Sequence, residues 1–350
     1  MTRARERGAA LLAAMLTVTL VATFAVAAMW RQWRAVEIEA AERTRVQSAW
    51  VLVGALDWAR LILREDGRAG GIDNLSEPWA VPLEEARLSS FLAADKNIAS
   101  DAIEGLPDAF MSGRIVDGQS KLNVANLVVG GKPVESAVTA FTKLFTLLNL
   151  PTQEVAVLTA NLQRASAGLA PAPATGSTGT AGAAVAAGTS GGSGTSAGSE
   201  GDSGGNTPLM PQQVSQLAWL GVSPQTAAAL EPYVIILPTP TAVNINTASA
   251  EVLAASVPNL DLAGAKRLVM QRTARYFTKL DDARQLLPES AAQFNESQHS
   301  IGSSYFEVVA RLRLDRIWVQ EHSLLKRDGG QVSIVWRQRG VGATPTPNKP

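Results

Sequence analysis

Cysteine is absent from the 350 residues, which excludes disulfide stapling and any thiolate metal or redox site. Histidine occurs twice, His299 and His322, each standing alone rather than in a zinc spacing. No serine sits in a nucleophile–base pattern. The one glycine–lysine pair lies in NLVVGGKP, where Asn126 replaces the first glycine of a phosphate loop and Pro133 its Ser/Thr. Net charge is zero, with 31 basic against 31 acidic residues, so bulk charge points to neither nucleic acid nor an acidic partner. Charged residues make up only 18% of the chain, and no proline precedes Pro78. The first absence leaves a chain outside the cytoplasm dependent on its core, a bound ion or its partners; the second leaves the whole N-terminal stretch free to be helical.

That stretch dominates what is present. Arg3, Arg5 and Arg7 precede Gly8, and Ala9 to Trp30 runs for 22 residues without a charge. Trp30, Arg31, Trp33 and Arg34 follow as an interfacial belt. Beyond them Val46, Ala49, Val53 and Leu56 keep apolar residues near helical spacing. The pattern predicts one helix of about 80 Å, half apolar and half amphipathic. The run is longer than a secretory signal core. A plain single-pass anchor with its N-terminus in the cytoplasm is one reading of it.

Downstream, EDGRAGG (65–71) with Pro78 and Pro82 predicts the end of the helix and a loop. Leu83–Phe91 is expected to form a short helix, with Glu84 and Glu85 on a solvated face. Asp117-Gly118, between Arg114–Val116 and Lys121–Val124, predicts a tight hairpin, with Asn123 and Asn126 in turn and capping bonds. Val134–Leu150, Thr152–Leu162, Pro211–Leu220 and Ser223–Leu230 read as helices. Residues 165–207, nearly all Gly, Ser, Thr, Ala and Pro, are expected to be a disordered surface loop inside a helical domain. Ser304–Leu314 alternates, with Phe306, Val308, Ala310, Leu312 and Leu314 on one face. With Trp318–Lys326 and Val332–Trp336 it predicts a three-stranded meander, turned at Asp328-Gly329-Gly330, that packs on the amphipathic half of the helix. Residues 341–350 read as a tail.

One segment invites a chemical reading. VNINTASAEVLAASVPNL through FTKLDDARQLL (243–287) resembles the helix-hairpin-helix repeat of DNA-uptake and repair proteins. A phosphate-binding hairpin places a Gly-apolar-Gly turn between its helices. Here Asp261 and the single Gly264 stand there. Across 241–290 the basic residues Lys266, Arg267, Arg272, Arg275, Lys279 and Arg284 nearly balance Glu251, Asp261, Asp281, Asp282 and Glu289, where a DNA binder shows a basic face. A membrane-anchored DNA-binding protein of the competence type is the alternative this segment keeps open. Asp281, Asp282, Glu289 and Glu296, with Asn295, offer hard oxygen ligands of the kind calcium takes.

Gly8 before the apolar run resembles the leader of type IV pilins and pseudopilins, which a prepilin peptidase cuts after the glycine; here the cut falls between Gly8 and Ala9. That family usually has glutamate at the fifth mature position, where this chain has Ala13. A missing glutamate, together with GRIVDGQSKLNVANL, the NINTA segment and the terminal strands, is similar to the minor pseudopilin K family of type II secretion. The resemblance implies an α+β fold: a pilin-like long N-terminal helix packed on a small antiparallel sheet, with a large α-helical domain inserted. It implies a leader (1–8), a membrane half (9–30) and a periplasmic half (31–65) of the helix, and a first pilin-like part (66–124). An inserted helical domain (125–290), with its hairpin module at 241–290, and closing strands (291–340) complete the chain. It further implies no enzymatic activity, calcium in the helical domain, subunits I and J as partners with H as a further neighbour, no nucleic acid, and a single-pass inner-membrane protein of a Gram-negative bacterium at the tip of a pseudopilus, initiating and capping the fibre that exports folded proteins.

Overall fold

The computed structural model describes residues 4–88, 109–169, 208–287, 292–314 and 317–340. Helix α1 spans Ala4–Ala69 without a break and is apolar and long enough over its first part to cross a bilayer. Residues 10–43 are exposed along their whole length. Only the last turns meet the body. There Ser48, Leu52, Leu56, Ala59 and Leu63 are buried, a stripe at intervals of three and four residues.

This stripe corrects the expected one in register. Of Val46, Ala49, Val53 and Leu56 only Leu56 is fully buried, and Val46 is 53% exposed. An apolar helix segment offers several faces; the sheet selects one. Val46, Trp50 and Leu61 consequently form a second apolar stripe, turned outward.

The sheet has five antiparallel strands in the order β1 (Leu83–Arg87), β2 (Ala109–Asp117), β9 (Tyr305–Leu314), β10 (Ile317–Asp328) and β11 (Gln331–Gly340). The expected meander is β9–β11, turning at Gly329-Gly330 between paired Asp328 and Gln331. The expected helix over Leu83–Phe91 is instead edge strand β1, paired Ala86 to Met111 and Arg87 to Phe110, as far as the described residues reach. Five residues beside an open sheet edge pair with it rather than form a helix of little more than one turn.

β2 and β9 are neighbours in space, Asp117 opposite Phe306, yet the whole helical domain lies between them in sequence. The expected hairpin at Asp117-Gly118 does not form. Gly118–Ser120 makes a 3-10 turn, and the chain goes on to β3 (Leu122–Asn123), which pairs in parallel with β6 (Val234–Ile235). Gly118 is there for space: a Cβ would lie 3.1 Å from both the Tyr305 carbonyl oxygen and Ile235 Cδ1.

The insertion continues through a small hairpin, β4 (Val128–Val129) and β5 (Lys132–Pro133), then helices α2 (Glu135–Leu147) and α3 (Gln153–Leu169). The segment that follows, most of the expected loop at 165–207, lies outside the described residues. A 3-10 helix (Val214–Leu220) and α4 (Pro224–Leu230) come next. β7 (Val243–Asn244) leads into α5 (Ala250–Ser256), α6 (Leu262–Ala274) and α7 (Leu280–Gln285). β8 (His299–Ser300) pairs in parallel with β7 and returns the chain to β9. These helices share one core, in which Phe141, Phe145, Leu158, Leu217, Leu253 and Leu268 are buried.

The sheet's α1 side carries the expected face, with Phe306, Val308, Ala310, Leu312 and Leu314 all buried. Phe306 sits at its centre, with Trp79 edge-on at 5.3 Å and the Arg327 guanidinium 4.7 Å from its ring. Phe306→Ala is expected to lower stability by about 3–5 kcal/mol, measured by urea unfolding. A loss below about 1 kcal/mol would show that this face does not carry the α1–sheet packing.

Candidate functional site

Where the helical domain leaves and re-enters the sheet, the polar residues of four segments are buried together. The loop after α1 brings Asp73, β2 ends on Asp117, β7 brings Asn244 and Thr247 follows it, and the approach to β9 brings Ser303. All five are buried. The Asp117 carboxylate accepts the Gln119 amide at 2.7 Å, the Thr247 hydroxyl at 2.6 Å, the Ser303 hydroxyl at 2.7 Å and the Asn244 side-chain amide at 3.1 Å. Asn244 also donates to the Asp73 carbonyl at 3.1 Å and to Ser303 Oγ at 3.0 Å. Gln119 bridges the same gap, donating to the Ala242 carbonyl and accepting from the Ser304 amide.

Arg327, from the end of β10, closes the cluster. Its Nη2 lies 2.6 Å from both Asp73 carboxylate oxygens and 2.9 Å from the Ser303 carbonyl, while Nη1 pairs with Asp66 at the end of α1. Gly302 passes so close to the Gly71 carbonyl that no side chain fits. One arginine thus ties the spike helix, the loop after it and the re-entry strand.

The NINTA segment extends these bonds into the hairpin module. Asn246 donates to the Phe277 carbonyl at 3.0 Å and accepts its amide at 2.9 Å, a pairing that mimics a strand contact. Arg272 donates to the Ile245 carbonyl at 2.7 Å, and burial pushes it down to about 10. Asp261, at the place where a phosphate-binding hairpin needs a glycine, instead caps α6 by accepting the Gly264 amide at 2.8 Å. Asn123 makes the expected capping bond to the Ala125 amide, whereas Asn126 makes a long-range pair instead, exchanging two hydrogen bonds with the Thr241 backbone.

Charge at the junction is uneven, with Asp66, Asp73 and Asp117 gathered about a single arginine. Burial pushes Asp117 up to about 6 against the pull of its donors, and it raises Asp66 as well. Nearby Glu77 accepts from Trp79 Nε1 at 2.6 Å and from Asn74, and burial pushes it up to about 7. Chemically the arrangement fastens segments together. Thr247 and Ser303 both donate to Asp117, and all three side chains are buried in the joint.

The residues expected from sequence lie elsewhere. Gly8 and Ala9 are within the α1 backbone, and Ala13 is exposed on α1. Asp281 pairs with Arg284 at 2.7 Å, and Asp282 accepts from Thr278 and from the Lys279 amide at the start of α7. Glu296 is exposed and Glu289 is outside the described residues. Among the described residues the trio of acids with oxygens within 4.8 Å of one another is Asp66, Asp73 and Glu77, and Arg327 already occupies two of these. In the sequence the NINTA segment stands out as a hairpin-like module and Asp117 as a turn residue, whereas Asp73, Ser303 and Arg327 carry no local signal. The signal available was the density of Asn and Thr between two hydrophobic runs.

Two matched regions, residues 120–239 and 243–302, both correspond to the family described as type II secretion system (T2SS), protein K, and together they span more than half of the chain. The chain belongs to the type II secretion system protein K family. It is a minor pseudopilin of type II secretion. The type II secretion system protein K of Pseudomonas aeruginosa is 26% identical over 99% of this chain and 96% of its own length. In the crystal structure of the GspK–GspI–GspJ complex from the enterotoxigenic Escherichia coli type 2 secretion system, one chain matches with a TM-score of 0.57 at 20% identity, covering 86% of this chain and 98% of that one. The α+β fold is therefore that of protein K, and the competence-type DNA-binding alternative finds no support. The matched regions meet at the junction: the first opens at Ser120 beside Gln119, and the second runs from Val243 to Gly302.

Glu77 and Asp117 have folded pKa values above their ordinary ones, so at these two positions the native protein holds protons that the unfolded chain releases. Their contribution to stability is complete below about pH 4 and is lost as pH rises through about 6 for Asp117 and about 7 for Glu77. Glu77→Gln, which cannot ionise, is expected to gain on the parent protein between pH 5 and 8 in urea unfolding. Parallel pH curves would sink this assignment.

Proposed function

We propose that this pseudopilin is cut between Gly8 and Ala9 by prepilin peptidase, stays in the inner membrane as a single-pass protein with its N-terminus toward the cytoplasm, and takes the tip of the periplasmic pseudopilus. Its role is structural rather than enzymatic. The observation that carries this reading is the division of α1 into two apolar stripes, one buried under the sheet and the other, Val46, Trp50 and Leu61, turned outward beyond the exposed membrane half. A helix of this length with an uncovered apolar stripe fits a bundle of like helices. Ala13 supports the tip position: a carboxylate in hydrocarbon costs several kcal/mol unless paired, and a subunit with none above it has nothing to pair with. The relative in the solved complex assembles with GspI and GspJ; by that likeness subunits I and J are this chain's partners, with H as a further neighbour. The helical domain then blocks addition above it, so the subunit initiates and caps the fibre that carries folded proteins across the outer membrane.

The intact mass of protein extracted from membranes with an active prepilin peptidase is expected to lack Met1–Gly8. Retention of those eight residues would overturn the pseudopilin assembly route.

Calcium, with Asp281, Asp282, Glu289 and Glu296 as ligands, rests on the family resemblance and on the hard oxygen ligands these residues offer. Asp282 holds Thr278 and Lys279 through Oδ2, so it would meet the ion through Oδ1. Calorimetric titration of the full chain in detergent is expected to give heat above the buffer control, and none would remove calcium from the reading.

A further inference from the structure

Helix α1 contains three glycines, Gly8, Gly54 and Gly67, and the last two stand in the part that meets the body. Gly67 is there for space, since a Cβ would lie 2.8 Å from the Gly329 carbonyl oxygen and 2.9 Å from Arg327 Cδ. Gly54 has no such reason. A Cβ on it would meet no atom within 4 Å among the described residues, and the position is exposed. After proline, glycine is the poorest helix former, yet this one stands in the interior of a 66-residue helix at a place where any side chain fits.

Its neighbours on the same face are large. At about 100° per residue, Val46, Trp50, Gly54 and Leu61 fall within one arc of about 80°, opposite the buried stripe that seats α1 on the sheet. Trp50 is 71% exposed, Leu61 45%, and Trp58, 42% exposed, stands one turn beyond Gly54 as Trp50 stands one turn before it. The glycine is thus a notch in an otherwise bulky apolar ridge. Asp57, the charged residue nearest to it in sequence, is held by Arg60 at 2.9 Å, so an apolar group suits the notch.

Three kinds of occupant can be weighed. The bilayer that α1 crosses is out of reach, because Gly54 lies about 30 Å along the helix beyond Arg34. An extended strand finds no backbone partners on a helix surface. A second helix uses such a notch directly: a large side chain of one helix enters a hole between residues of the other that are spaced by a turn, and a glycine at the floor lets the two axes come close. The face is also continuous with the exposed, membrane-spanning half of α1, so a helix that runs beside that half passes Gly54.

We propose that Gly54 is the floor of a notch that takes one large apolar side chain from the long helix of another subunit, and that this contact selects which subunit packs beside α1. That the helix belongs to subunit I or J rests on the pseudopilin reading. At this one position the demands of the isolated chain and of the assembly are opposed: a side chain favours the helix and closes the notch.

The test uses the full chain in detergent, alone and co-expressed with affinity-tagged subunits I and J. Gly54→Ala and Gly54→Leu are expected to leave the urea midpoint of the chain alone unchanged or raised, because both residues form helix better than glycine. Gly54→Leu is expected to lower recovery with the tagged subunits at least tenfold, and Gly54→Ala to lower it less. Recovery of Gly54→Leu equal to that of the parent, or a lowered urea midpoint in either variant, would overturn the notch. A photo-crosslinker at Leu61 in membranes that hold all the subunits tests the occupant. Adducts with I or J are expected; adducts only with a second copy of this chain, with an exported protein or with lipid, or none at all, would overturn the assignment. Leader cleavage is read on the same preparations by intact mass, so normal cleavage with indifferent Gly54 variants removes the notch and leaves the pseudopilin role standing.

Discussion

An inserted domain must leave and re-enter its host sheet at one place without separating the strands it interrupts. Here that place is the end of β2, where Asp117 faces Phe306, and both connections carry backbone groups into the interior. Buried polar groups are tolerated only when bonded. Asp117, Asn244 and Ser303 answer that demand with one another, and Gln119 bonds to both flanking chains. Every larger feature depends on this knot: the helical domain's placement, the pairing of β2 with β9, and the seating of α1 through Asp66 and Arg327.

Such a knot trades stability for definition. Replacing a buried ion cluster by apolar side chains often costs nothing, whereas breaking one is expensive. What the polar version supplies is a single geometry, because Asn244 and Asp117 accept only one arrangement of their donors. For a chain whose long helix and inserted helical domain both attach to one small sheet, a unique joint between them is the useful property. The uneven charge gives the joint a proton dependence that a hydrophobic contact would lack.

Helix α1 shows how one sequence pattern can offer two apolar faces. Its inward stripe is fixed by the sheet, and its outward stripe, Val46, Trp50 and Leu61, stays exposed. Both were visible as apolar residues at helical spacing, yet spacing alone assigned Val46 and Val53 to the buried face. A sheet that is present in space, not in the local sequence, decides between adjacent faces. The same cause underlies the other two differences. Leu83–Arg87 becomes a strand because β2 offers an unpaired edge, and Asp117-Gly118 becomes a 3-10 turn because Thr247 and Ser303, far along the chain, compete for the aspartate.

The sequence by itself determined the long helix, the alternating strand at Tyr305–Leu314, the two-glycine turn after Asp328 and the helical nature of the insertion. These follow from local periodicity and backbone preference, which act within a few residues. It also carried the Gly8 and Ala13 pattern at the head of the spike. Only the tertiary structure decided that Asp73, Asp117, Asn244, Ser303 and Arg327 form one site, because their bonds span up to 254 residues and none of them announces its partner. It alone placed β2 beside β9, since strands so distant in sequence become neighbours only through tertiary pairing. Local signals name the elements; burial and long-range hydrogen bonding decide which of them touch.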